Sequence, residues 1–176
     1  HSGARFGITD AAIHAPHRPV LPGMQPQLTT DGKKIGPAEK FGLQVISMGF
    51  LTADDAPIIW RGPMLHGALQ QFFREVAWTD LDYLIIDLPP GTGDIRLSLS
   101  QRIPVSGAVI VTTPQDIALL DARKGLAMFR KVEVSVLGVV ENMSTHVCSN
   151  CGHEEAIFGS GGGEKLAAQF GVELLG

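Results

Sequence analysis

Cysteine is scarce in this 176-residue chain: there are two, Cys148 and Cys151, three positions apart. That separation suits metal or redox chemistry in a reducing compartment better than a structural staple, and so points to the cytoplasm. Positive charge is in deficit, with 14 Lys and Arg against 18 Asp and Glu and a formal net charge of -4. Without a basic face or stripe, neither a nucleic-acid backbone nor an anionic membrane is an expected partner. No apolar run approaches the ~20 residues a membrane span needs. The opening His1-Ser2-Gly3-Ala4-Arg5 does not read as a secretory signal. What is present is 44% hydrophobic residues, enough for a core, in a length typical of one compact domain over 1–176.

Those hydrophobic residues gather in short continuous runs that end in polar or turn residues, the pattern of strands buried on both faces. The clearest are Tyr83-Leu84-Ile85-Ile86, Gly107-Ala108-Val109-Ile110-Val111 and Val136-Leu137-Gly138-Val139-Val140; weaker ones are Arg5-Phe6-Gly7-Ile8 and Leu43-Gln44-Val45-Ile46. Between them, Met64, Leu65, Ala68, Leu69, Phe72, Phe73 and Val76 recur at one-face helical spacing after Pro63, which suits a first helical turn. A second helix is expected from a cap at Asp116, with Leu119, Ala122, Leu126 and Phe129 turned inward, and a third from about Gly163 to Phe170. Strands alternating with helices imply an α/β doubly wound fold with a mostly parallel sheet, whose ligands bind at strand C-terminal ends. The Pro- and Gly-rich stretch from His14 to Lys40 lacks periodicity and reads as a long loop.

Three motifs could carry chemistry. Asp87-Leu88-Pro89-Pro90-Gly91-Thr92-Gly93-Asp94 follows an apolar strand directly. An acid at such a strand end is where nucleotide-hydrolysing proteins hold magnesium, and Gly91 and Gly93 let backbone N–H groups approach a phosphate. The plainer reading is a strand-to-helix turn directed by prolines and capped by Asp94. No Gly-Lys-Ser/Thr follows these glycines, so they are not a Walker A loop. The second motif, Cys148-Ser149-Asn150-Cys151-Gly152, offers two thiolates to one metal centre, with Gly152 allowing a tight turn that aims amides at the sulfurs. Two thiolates are half of a four-ligand set. Either His146 and His153 complete it within one chain, or a second chain brings its own pair across a C2 axis. Free cysteines are the plain alternative, and a thioredoxin-like pair fits poorly because no helix opens at the motif. The third, Phe158-Gly159-Ser160-Gly161-Gly162-Gly163-Glu164-Lys165, could admit a phosphate or a close-packed backbone, or simply start a helix.

Together with Trp60-Arg61-Gly62-Pro63-Met64, Thr112-Thr113-Pro114-Gln115-Asp116 and Glu141-Asn142-Met143-Ser144, these segments resemble the Mrp/ApbC family of P-loop ATPases, relatives of MinD and ParA. The resemblance implies a protein that binds a 4Fe-4S cluster and transfers it to apo iron–sulfur proteins, with ATP and Mg2+ bound in the intact family. It makes Asp87 the acid near magnesium and Pro89, Pro90, Gly91, Thr92, Gly93 and Asp94 a switch sensing the γ-phosphate. Asp10 becomes a second catalytic candidate, Asn142 a neighbour of the adenine, and Cys148 and Cys151 the cluster ligands that each subunit of a homodimer contributes.

The departures are equally specific. No phosphate-gripping lysine loop is present, and in Asp10-Ala11-Ala12-Ile13-His14 the residue Ala12 stands where relatives carry a second acid. Both weigh against ATP hydrolysis by this chain. The expectation is a chain truncated at both ends, with a central strand position empty and apolar surface exposed. Two other functions compete: a non-enzymatic zinc module built from His146, Cys148, Cys151 and His153, and a MinD/ParA-like ATPase without metal.

Overall fold

A computed structural model describes residues 3–11, 27–28, 34–47, 62–88 and 103–176, and the chain divides into two compact units, His1–Ile95 and Arg96–Gly176. In the first unit, β1 (Phe6–Asp10), β5 (Leu43–Ser47) and β6 (Tyr83–Asp87) are parallel, and β4 (Ala38–Lys40) runs antiparallel along the edge, in the order β4-β5-β1-β6. β2 (Gln27–Leu28) and β3 (Ile35–Gly36) form a separate small ribbon. Helix α1 (Gly62–Glu75) carries Pro63 in its first turn and lies between β5 and β6 in sequence. Phe72, Val76, Ile46 and Ala38 are at most 3% exposed, and burying a side chain the size of Phe72 or Ile46 contributes roughly 1.5–3 kcal/mol. The Gln44 side chain spans to the segment after α1, donating to the Thr79 carbonyl at 2.9 Å and accepting from its N–H at 3.0 Å.

The second unit is built on the parallel pair β7 (Ala108–Thr112) and β8 (Val136–Glu141), joined through α2 (Asp116–Lys131). After β8 come a short antiparallel ribbon, β9 (His146–Val147) with β10 (Glu154–Glu155), and then α3 (Gly162–Phe170). Both helices pack on the strands and on each other. Leu126, Val139 and Leu166 form the centre of this core, each at most 1% exposed. Gly171 ends α3 in the left-handed region, with its own N–H and that of Val172 turned back onto Ala168 and Ala167. The final residues then run beside β8, with Val139 N–H on Glu173 O, Leu175 N–H on Val139 O and Glu141 N–H on Gly176 O.

All five expected strands and all three helices are present, and the architecture is α/β with a mostly parallel sheet. Three local expectations change. Part of the stretch read as a loop from His14 to Lys40 is strand, because Phe41 and Gly42, both with positive φ, make a two-residue turn that folds β4 back on β5. Strands β6 and β7 are not buried on both faces. Tyr83, Ile85, Val109 and Val111 are 46–65% exposed and alternate with more covered neighbours. The cap of α2 is Gln115 in extended backbone rather than Asp116, which sits in the first turn where its charge complements the helix dipole. Trp60, Arg61, Ala12 and the segment from Pro89 to Asp94 lie outside the described residues, as do the side chains of Met64, Leu65, Ala68 and Leu69.

Candidate functional site

The cysteines sit at the tip of the β9–β10 ribbon. Pairing of His146 with Glu155 and of Val147 with Glu154 brings the strands together, and the Cys148 N–H continues the ladder by donating to the His153 carbonyl at 2.9 Å. The chain then reverses tightly: Gly152 N–H donates to Cys148 O at 2.9 Å, with Gly152 at φ +71°. A side chain at that position would be strained by its Cβ, which is why glycine serves here. The turn folds the amides of Cys151 and Asn150 toward the Cys148 sulfur. These two N–H groups, in that order, and then the Cys151 thiol hold the Cys148 thiol below the usual thiol range, against a small upward push from burial. The thiolate is the reactive and metal-binding form of any cysteine, and this turn favours it at Cys148. Both cysteines are free; Cys148 is half-buried and Cys151 exposed.

Cys148 and Cys151 are the two cysteines of the sequence. Among the described residues no three His, Cys, Asp or Glu side chains converge on a common point, so His146 and His153 do not join the thiols in a closed tetrahedral set. Thiolates are the donors that soft metal ions select.

The ribbon's two roots meet at Glu141, the last residue of β8. Its Oε1 accepts from Gly161 N–H at 3.0 Å and from Ser144 Oγ at 2.8 Å, and its Oε2 accepts from Gly163 N–H. Burial pushes this carboxyl up, but the N–H of Gly163, the Ser144 hydroxyl and the N–H groups of Gly161 and Gly162 outweigh it and hold it below the ordinary glutamate range. The glycine run is thus the start of α3 filled by an internal anion. A Cβ on Gly163 would lie 2.9 Å from Glu141 Cβ, and one on Gly162 would lie 2.6 Å from Leu119 Cδ1. Sequence reasoning missed Glu141, because no local spacing links it to glycines twenty positions away. Asn142 follows it, exposed, with its N–H on Thr112 O at 2.8 Å and its side-chain oxygen accepting from Met143 N–H at 2.9 Å.

In the first unit, Asp10 and Asp87 end adjacent parallel strands and stand opposite each other in register, with Ser47 opposite Asp10 on the other side. Ser47 Oγ donates to Asp10 Oδ2 at 2.9 Å, a bond buried at both ends, while Asp87 is exposed. Ser47 is a second residue that the sequence alone did not single out; strand register is what brings it beside the acid.

The family model described as the NUBPL iron-transfer P-loop NTPase, of the ParA group, matches residues 1–176. The chain belongs to this family. Iron–sulfur cluster carrier proteins from Pseudomonas fragi and Escherichia coli K12 are 60% and 57% identical to it over 98% and 99% of its length. The mouse iron–sulfur cluster transfer protein NUBPL is 47% identical over 99%. The chain spans 61%, 48% and 55% of these relatives, about half to three-fifths of their length. A solved nucleotide-binding protein from Archaeoglobus fulgidus, in complex with ADP and with cobalt, superposes with a TM-score of 0.76 at 34% identity, over 98% of this chain and 68% of that one. In this NUBPL-type chain the strand-end acids and the cysteine ribbon belong to different compact units. No helix among the described residues is long and apolar enough to cross a membrane.

Proposed function

We propose that this chain of the NUBPL iron-transfer family carries an iron–sulfur cluster as cargo to apo iron–sulfur proteins. Cys148 and Cys151 hold the cluster together with the same pair from a second copy, so a 4Fe-4S cargo has four thiolates across a homodimer axis. The observation that supports this best is the exposed turn with two amides folded onto the Cys148 sulfur. Amide donors stabilise the sulfur as an anion, and exposure leaves room for a second copy or a recipient. Delivery is ligand exchange: each carrier thiolate on iron is replaced by a recipient thiolate, and no electron changes hands.

Nucleotide binding belongs to the same reading, supported by the family and by the ADP-bound neighbour. Asp87 and Asp10 end adjacent strands, where acids could flank a hydrated magnesium, with Pro89 to Asp94 as the phosphate-sensing switch. Two free thiols in a ligand role suit a reducing compartment, and we place the carrier in the cytoplasm.

Anaerobic reconstitution of the purified chain with iron and sulfide tests the proposal. Wild type takes up a labile cluster with thiolate-to-iron absorption, and Cys148→Ala and Cys151→Ala each lose it. Uptake that survives both substitutions defeats the assignment.

A further inference from the structure

The ribbon bearing the cysteines has almost nothing of its own to fix its direction. It contains two residue pairs, and residues 149–160 are all exposed. Its roots are different. Glu141 sits at the end of a strand whose backbone is secured on both sides, by register with Thr112 in β7 and by its N–H on Gly176 O. From there the carboxylate reaches across to the far root. Gly161 and Gly163 donate to separate oxygens, and Ser144, on the near root, donates to one of them.

We propose that Glu141 is a positioning residue for the cluster ligands: by bridging residues 144 and 161–163 it closes the base of the cysteine loop and sets how the two thiols are presented. The inference rests on the carrier reading for its purpose and on the hydrogen bonds for its mechanics. A two-point carboxylate clamp has a direction that a single hydrogen bond lacks, because both oxygens must stay in plane with their donors. Rotation of the ribbon about its roots breaks at least one of them. Groups that orient metal ligands without touching the metal have this relation to a site. The α3 cap that results is supplied from another element, and it ties the packing of α3 to the geometry of the loop.

Glu141→Gln keeps the shape of the side chain but turns one acceptor into an NH2 that faces an amide donor, whichever way round it sits. In the cluster-free chain, amide exchange should accelerate at Gly161 and Gly163 and spread to Cys151 and Gly152, while Leu126 and Val139 keep their protection. In the loaded chain, cluster uptake should persist, and its loss to a chelator should become faster by about tenfold, the lower end of the effect of removing groups that orient metal ligands. Gly163→Ala, whose Cβ would push Glu141 aside, should give the same pattern, and it decides the matter if Glu141→Gln lowers protection throughout. Unchanged exchange at Cys151 and Gly152 together with unchanged chelator loss overturns the inference. A wild type that holds no cluster, but whose cysteine-turn amides still respond to Glu141→Gln, leaves the clamp standing and removes the carrier reading instead.

Discussion

Glu141 and Cys148 are both titratable groups whose charged forms are favoured by backbone amides, and each marks one end of the same structural problem. For Glu141 the direction of the effect on stability is determined. A carboxyl whose pKa is lowered on folding adds stability above the ordinary glutamate range, near ~4.3, and that stability is lost as pH falls through the depressed native value. Urea unfolding of wild type and Glu141→Gln should therefore differ by about 1–2 kcal/mol at neutral pH, the lower part of the range for hydrogen bonds to a charged group that keeps some solvent contact. In acid below the carboxylate range the two should converge. A constant difference across that range would show that charge on Glu141 is not what the glycine amides hold. At this scale the cysteine turn was legible in the sequence, since spacing and the following glycine are local signals. The clamp was not: a glutamate after a strand and a run of glycines each have ordinary explanations until β8 and the start of α3 are adjacent.

Among the elements, the short apolar runs and the helical spacing located five strands and three helices correctly, but the burial of both faces expected of the runs failed at β6 and β7. The edge strand β4 escaped because three residues carry no period, and its turn places Phe41, a poor left-handed residue, at φ +53°. One element interaction has a sharp requirement. The terminal residues 173–176 lie so close to β8 that a Cβ at Gly138 would come within 2.7 Å of the Glu173 carbonyl oxygen and 2.5 Å of Leu175 Cγ. The side chain can turn away, but the backbone cannot without releasing its ladder to Val139. Gly138→Ala should cost about 1–3 kcal/mol, as overpacking does, and should raise amide exchange at Leu175 and Val139. A neutral substitution would mean that the terminal segment packs less closely against β8.

For the whole molecule, each unit carries one part of the proposed chemistry, acids at strand ends in one and thiols in the other. Two thiols per chain make stoichiometry the decisive measurement. Sedimentation of the cluster-free chain should give the 18.8 kDa monomer, and the reconstituted chain should give twice that mass with one cluster per pair. A cluster on a species of monomer mass would exclude ligands from a second copy. The α/β class and the family resemblance were legible because they draw on motifs along the chain, whereas the division into two compact units has no composition shift to announce it.

An isolated two-stranded hairpin is marginally stable in water, and segments with few buried contacts open at little free-energy cost. The cysteine ribbon, two pairs long, has that character, while its roots rest on β8 and α3. On the carrier reading proposed above, handing over cargo from such a tip would require no unfolding of the body behind it: the thiols could leave iron one at a time and return, away from the buried centre around Leu126, Val139 and Leu166.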